Sequence, residues 1–524
     1  MTAIFETGVD APGARVPVPA GAIQCPDEAS FHSTVQTYLP GGANAGQSVN
    51  IHLNGLQYDR LGIDGYVCTD GGLGMMKYGN QDGSTEIRYG NTDVTGDAHS
   101  AVFRLKNGFE TGGLFNVRID GQSTGDGVGA IWGLIVGAAF DNDPRRGDVH
   151  NYVVRGVEVH HTQQATIKID GDGGTDGVHV SYSTFRDTGI GDAEFEGFGE
   201  AVYVGDGSTG RAYSNVTVEF CHVHDVFMGE GIEAKRNGTN VVIRYNWVHD
   251  VVIRDGGGIK GEGPAEVYGN RIARVSTIPE STTSNGNGIQ MQRGGELYNN
   301  VIWDCTGYCL MLTTSEFQNV VYEPRHNTLI ATNQSAYGIN LDNRGAHQCS
   351  VQSEHNAYEG DRDNGSTNNS TFNDVNVSLA DFVGPTSVDA IDGSNGPGSG
   401  FVLAGGPARN AVATLGSVTE DLRMLQRSAP TDAGALDVDA VLGFEIGFPV
   451  DGSSDVGESI VVSGSGGSGV TQFQVTDVTN TAVIADYGAI GVTYDAGTDT
   501  WTADGPVTIP QLGQSIRVKA RNWS

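Results

Sequence analysis

Four charged residues stand in a pattern that can do chemistry. Glu233 and Lys235 alternate in "GIEAKR" (231–236), and Lys260 and Glu262 alternate in "GIKGEG" (258–263). On neighbouring strands of one sheet, residues two apart lie ~6.8 Å from each other and strands ~4.8 Å apart. That spacing sets Glu233 against Lys260 and Lys235 against Glu262. Opposite charges across a ladder stabilise a sheet by roughly 0.2–1 kcal/mol a pair, so a structural checkerboard is one reading. Two chemical readings stand beside it. In β-elimination a base takes the proton next to a uronate carboxylate, and a cation stabilises the enolate-like charge. Lys235 or Lys260 is that base if its neighbours lower its pKa, while Glu233, Glu262 and Asp170 offer oxygens to Ca2+. In glycoside hydrolysis Glu233 and Glu262, diagonal and ~8 Å apart, fall in the range of an inverting pair. The same face carries Lys168, Asp170, Tyr203, Gln290, Gln292 and Arg293, which are candidates for binding successive sugars.

Other groups compete for attention. His222 and His224 share one side of "CHVHD", with His249 a coil further on; three imidazoles suit a metal, and equally suit turn and surface positions. Asp141, Asp143 and Asp148 in "DNDPRRGD" offer a Ca2+ loop or a solvated one. The six cysteines have neither disulfide-framework nor metal-site spacing, which predicts buried thiols. The metal ligands are therefore left unassigned, and Ca2+ is the candidate ion.

The elements that must position these residues repeat along the chain. One frame reads "ATIKID" (165–170), "AVYVGD" (201–206), "GIEAKR", "GIKGEG", "GIQMQR" (288–293), "CLMLTT" (309–314) and "GINLDN" (338–343). A second reads "VHVSYSTF" (178–185), "VTVEFCHV" (216–223), "VVIRYNWV" (241–248), "AEVYGNRI" (265–272), "GELYNNVI" (295–302) and "VQSEHNAY" (351–358). Apolar residues two apart predict strands with one buried face, such as Ile232/Ala234 and Ile289/Met291. Copies 24 to 38 residues apart fit one coil of a solenoid. Equivalent strands then stack in parallel, and such crossovers are right-handed. Asn246, Asn270, Asn300, Asn327 and Asn356 fall at one place in the second frame. A stacked Asn column can hydrogen-bond along its length, and Asn tolerates the left-handed backbone of a tight corner. The fold class is all-β: a right-handed parallel β-helix.

The ends differ from the middle. "EASFHSTVQTYL" (28–39) predicts an amphipathic helix that caps the first coil. Residues 1–40 form the N-terminal segment and cap, 41–360 the β-helix, and 361–442 terminal coils and a linker. Residues 443–524 have short alternating segments between turn clusters, which predicts a small β-sandwich, immunoglobulin-like in its spacing. "TYDAGTDTWTADG" reads as a hairpin within it.

Phe401, Leu403, Gly406, Pro407, Ala408, Asp421, Arg427, Asp432, Gly434 and Ala435 carry a resemblance. They match a C-terminal phrase of bacterial β-helix proteins in the pectate-lyase-like superfamily, although Met424 and Leu425 stand where the phrase has Gly. The repeats also resemble those of polysaccharide lyases and phage tailspikes. The resemblance spans roughly residues 40–440; it implies the fold, a polysaccharide partner and, for a tailspike, a homotrimer with virion partners. No complete lyase motif transfers residue by residue.

The formal charge of -33 excludes an ordinary nucleic-acid binder and repels a polyanion at long range unless cations or a local basic groove intervene. No apolar run is long enough to insert in a membrane. The N-terminus lacks a basic segment followed by an apolar one, so either a signal has been trimmed or the protein leaves the cell by another route, such as release in a virus particle. The expectation is a virion-surface or extracellular protein, tailspike- or fibre-like, that binds a host surface polysaccharide, with its cleavage left open. The alternatives are a secreted bacterial lyase or hydrolase and a non-enzymatic glycan-binding adhesin.

Overall fold

The computed structural model describes residues 6–359 apart from intervening stretches, of which 60–74, 90–100, 137–148 and 191–198 are the longer. It also describes strands at 369–372 and 375–376, scattered positions from 418 to 435, and eight strands between 459 and 521. Asp170, Asp141, Asp143, Asp148 and Cys68 lie outside the described residues. So do Phe401, Leu403, Gly406, Pro407, Ala408, Asp432 and Gly434.

Three parallel sheets wrap one apolar core. The first runs through strands such as Gly238–Arg244, the second through Trp247–Ile253, and the third through Gly257–Gly261. One coil visits all three in turn, and the next coil stacks on it in parallel. This is a right-handed parallel β-helix. Its core holds the expected inward residues, among them Ile167, Ile169, Val202, Val204, Ile232, Ala234, Ile289, Met291, Leu310, Leu312, Ile339 and Leu341. Cys25, Cys221, Cys305, Cys309 and Cys349 are free, buried thiols, as the spacing predicts.

The second sequence frame is two strands, where its period suggests one. "VVIRYNWV" leaves the first sheet at Arg244, turns at Tyr245 and Asn246, and enters the second sheet at Trp247. The Asn column lines that corner, fully buried. Asn246 donates from both its backbone N–H and its Nδ2 to Asn270 Oδ1, each at 3.0 Å. Asn270 does the same to Asn300, Asn300 to Asn327, and Asn327 to Asn356. Each Nδ2 also donates to a carbonyl of the neighbouring coil, as Asn270 does to Ile243 O at 2.9 Å. The column satisfies polar groups that a corner would otherwise strand. The left-handed residue is the one just before each Asn: Tyr245, Gly269, Asn299, His326 and His355 have φ near +60°.

The N-terminal cap is a helix over Glu28–Tyr38 that plugs the first coil with Phe31 and Val35. Asp27 caps it by accepting from the Ser30 N–H at 2.8 Å, while Ser30 Oγ accepts from the Asp27 N–H. Before the cap the chain straps the outside of the solenoid. Gly8 N–H reaches Phe220 O, Arg15 reaches Gly156 O, and Val16 exchanges two bonds with the Asn116 amide. At the other end Arg427 donates to Asn299 Oδ1 at 2.9 Å and Ala435 O at 3.1 Å, and Ala435 N–H donates to Thr328. Beyond these, strands from Ser459 to Arg521 pair antiparallel, including the expected hairpin of Val492–Asp495 with Thr500–Ala503. Among the described residues no helix is long and apolar enough to cross a membrane.

Candidate functional site

The outward face of the third sheet gathers the candidates into rows. One row runs Lys168, Tyr203, Glu233, Lys260, Gln290, Met311 and Asn340, each opposite the next on adjacent coils. Period two forces this, because Ile232 and Ala234 point inward and leave Glu233 outward. Lys235 and Glu262 follow their strands, bonding back through their N–H groups to Val204 O and Ala234 O. Gln292 and Arg293 continue past Asn287–Met291, half-buried.

Glu233, Lys235, Lys260 and Glu262 are one ion cluster. Glu233 Oε1 sits 2.7 Å from Lys235 Nζ and 2.8 Å from Lys260 Nζ. Glu262 Oε1 lies 3.5 Å from Lys235 Nζ and 3.7 Å from Lys260 Nζ, and Arg236 approaches its other oxygen at 3.6 Å. The Glu233 side chain is 0% exposed, whereas those of Lys235 and Lys260 are 14% and 13% exposed. Two features differ from the sequence expectations. Glu233 and Glu262 share the same two ammonium groups, so their nearest oxygens are closer than the ~8 Å that backbone spacing implied. Lysines fill the gap that an inverting pair leaves for water. The neighbours of Lys235 and Lys260 raise both pKa values: burial opposes the charge, but Glu233 and the other carboxylates outweigh it. The condition for a lysine base is not met; both are fixed cations.

Two further carboxyls complete the cluster. Glu230 Oε1 is 2.9 Å from Lys260 Nζ, and Glu200, Glu230 and Glu233 bring oxygens within 4.8 Å of one another. Both are buried, at 2% exposure for Glu200 and 3% for Glu230. Gly256, at φ +137°, leaves the space: a Cβ there would stand 2.2 Å from Glu230 Oε1. Period two misses these residues because each stands just ahead of its strand. The signal in the sequence is the Gly-Glu pair at Gly199–Glu200 and Gly229–Glu230, written twice before the frame.

Burial and the neighbouring Glu233 push Glu230 up to about 7. Burial, Glu233 and Glu230 together raise Glu200 well above the usual carboxylate range. For Glu233 burial acts upward, but Lys260 and Lys235 hold it below that range. Lys235, Lys260 and Arg236 thus face the carboxylates of Glu233 and Glu262, with Glu230 half-ionised near neutral pH and Glu200 tending to hold its proton, so the cluster keeps a small positive excess. Upstream in the row, Lys168 Nζ lies 4.9 Å from the Trp132 ring and 5.3 Å from that of Tyr203, and Lys235 lies 5.1 Å from Tyr203. Lys168, Tyr203, Gln290 and Glu262 are nearly buried, so the accessible edge is Lys235, Arg236, Lys260, Gln292 and Arg293.

The histidines lie elsewhere. His224 stands opposite His249 in the second sheet, and His222 Nε2 is 2.8 Å from His249 Nε2. Burial first, then its imidazole neighbours, lowers His222 to about 2, so it is neutral. His249 is oriented by Asp250 and packs, tilted, beside Trp247.

No protein-family model and no curated protein matches the chain. Solved structures similar in chain path include two polysaccharide lyases. Alginate lyase from Paenibacillus sp. str. FPU-7 is 11% identical at a TM-score of 0.39, covering 67% of this chain and 97% of its own. Pectate lyase Pel9A is 13% identical at a TM-score of 0.46, covering 70% and 88%. No residue role is carried over from either, and the chemistry rests on the cluster itself.

Proposed function

We propose that the protein binds an extended, uronate-bearing polysaccharide along the outward face of the third sheet and cleaves it by β-elimination. The observation that carries this reading is the pair Lys235 and Lys260. Buried carboxylates hold both protonated, and both keep their tips partly open at the accessible edge. With Arg236 and Arg293 they form a local basic strip on a chain of net charge -33, one of the two ways such a chain can take a polyanionic substrate. Rows ~4.8 Å apart suit the successive units of an extended polymer.

The roles follow from charge. A lysine ammonium neutralises the substrate carboxylate and the enolate-like charge that develops on it. Glu230, near half-ionised at neutral pH but buried behind Lys260, acts through it: as the open Lys260 ammonium passes a proton to Glu230, 2.9 Å away, it takes up the proton beside that carboxylate and stays a cation. Glu200, buried and holding a proton, keeps negative charge from building up beneath the lysines, and the partly open Lys235 ammonium donates to the departing glycosidic oxygen, leaving an unsaturated sugar end. A Ca2+ bound by Glu200, Glu230 and Glu233 would have to displace the lysines from Glu233. The elimination proposed here uses the lysines, and its turnover should survive a chelator.

Incubation with uronate polysaccharides tests this: ultraviolet-absorbing products support elimination. The opposed pKa directions of Glu200 and Glu233 favour hydrolysis as a second reading, which reducing ends without that absorbance would identify. Binding with neither product would identify an adhesin. The virion surface and the homotrimer implied by the tailspike resemblance belong to the same proposal, and light scattering tests the trimer.

A further inference from the structure

A second constellation lies on the second sheet, several coils towards the N-terminus. Asp120 ends the strand Arg118–Asp120, and His160 stands opposite it at the end of Glu158–His160. His161 follows with φ +55°, the left-handed backbone that recurs in later coils at Asp187, Asp225 and Asp250. That turn brings neighbouring imidazoles edge to face, 4.5 Å between centroids, so that both Nδ1 atoms point to one place. His160 Nδ1 and His161 Nδ1 are 2.8 Å apart, His161 Nδ1 is 3.0 Å from Asp120 Oδ1, and His160 Nδ1 is 3.6 Å from the same oxygen.

Three lone-pair atoms meet there, and protons serve them badly. If His161 carries its proton on Nδ1, that one proton is shared among three acceptors. The His160 proton then sits on Nε2, which is buried without a hydrogen-bond partner. If His160 donates to His161 instead, the second imidazole turns a lone pair towards the carboxylate. If both carry protons on Nδ1, two N–H groups face each other at 2.8 Å. A cation accepts from all three atoms at once. A triangle of these sides has a point ~2.0–2.1 Å from every corner, the bond length that zinc takes to imidazole nitrogen.

We propose that Asp120, His160 and His161 bind a divalent transition-metal ion that clamps two successive coils of the second sheet. Two imidazoles and one carboxylate select zinc, cobalt, nickel or iron over calcium. The surroundings hold the ligands in place. Gln122 N–H donates to Asp120 Oδ1 at 2.9 Å, and His161 Nε2 faces Asp187 Oδ2 at 4.0 Å. Arg186, the nearby cation, is already engaged by Glu158 and Asp187. The His160 side chain is 5% exposed and that of His161 41%, so the site has a buried wall and an open mouth.

Titration of the full-length, metal-stripped protein with Zn2+ by calorimetry, and with Co2+ by its visible absorption, tests the site. One equivalent of Co2+ should give a ligand-field band, and one of Zn2+ should raise Tm. His161→Ala changes an exposed side chain; it should weaken binding more than tenfold and remove the band while the metal-free Tm is kept. Asp120→Asn should do likewise, and His249→Gln, at the other histidine group, should bind as wild type. No stoichiometric binding, unchanged binding in His161→Ala, or loss confined to His249→Gln would overturn the proposal.

Discussion

Glu233 and Lys260 stand directly opposite each other on adjacent coils, with Glu233 Oε1 2.8 Å from Lys260 Nζ and the carboxylate wholly buried. The pairing follows from one-residue-per-row stacking, but its depth changes its meaning. An exposed cross-ladder pair is worth roughly 0–1 kcal/mol, whereas breaking a buried one leaves charge without compensation. The same carboxylate fixes the charge of Lys235 and sets the protonation of Glu230 and Glu200. Stability and the proposed chemistry meet at this residue.

Glu233→Gln should therefore cost stability as well as turnover. Removing its charge leaves Lys235 and Lys260 competing for Glu262 and Glu230, and a loss of about 3–5 kcal/mol is expected in urea unfolding. An unfolding free energy within about 0.5 kcal/mol of wild type would contradict the buried cluster.

Glu230 gives stability a pH dependence of known sign. Its pKa is raised in the folded state, from an ordinary 4.5 to about 7. Its contribution is full below the unfolded pKa and is lost as pH rises through about 7. Unfolding free energy measured from pH 4.5 to 8 should fall more in wild type than in Glu230→Gln. Parallel profiles would remove Glu230 as the titrating group.

Asn270→Ala should destabilise the solenoid without touching the third-sheet site. Asn270 Oδ1 accepts from the Asn246 backbone and amide, and its Nδ2 donates to Ile243 O and Asn300 Oδ1. Truncation leaves several buried groups unpaired at about 1–3 kcal/mol each, so a loss of at least ~3 kcal/mol is expected with polysaccharide binding intact once folded. Thermal unfolding and a binding assay on the same preparation check both halves.

Arg427→Ala should release the returning segment from the solenoid. The guanidinium is nearly buried and bridges Asn299 to Ala435. A loss of about 2–3 kcal/mol and faster proteolysis between residues 421 and 435 are expected; unchanged cleavage would show that the other contacts suffice.

Much of this architecture was legible in the sequence, for a physical reason. The third-sheet frame alternates cleanly because Ile232 and Ala234 must face the core while Glu233 faces out, so rows such as Glu233–Lys260 could be written before the structure. The Asn column was legible for the same reason: Asn246 to Asn356 recur where coils share a corner. The break at that corner was harder to read. Apolar alternation continues through "VVIRYNWV" although Tyr245 and Asn246 turn the chain between sheets. Glu200 and Glu230 stayed hidden because they precede their strands, where period two has no hold, and only the fold brings them back to Lys260. Burial was also invisible: pattern places Glu233 outward, while depth depends on what packs above the sheet. The Asp120–His160–His161 group needs two coils and a left-handed residue before its atoms meet.

The most direct test of the central claim is product analysis on a uronate polysaccharide, comparing wild type with Lys260→Ala, Lys235→Ala and Glu230→Gln. The account predicts unsaturated, ultraviolet-absorbing ends from wild type with chelator present, and kcat/KM at least about 100-fold lower in each variant. Saturated reducing ends, no cleavage at all, or undiminished unsaturated product from the variants would contradict it.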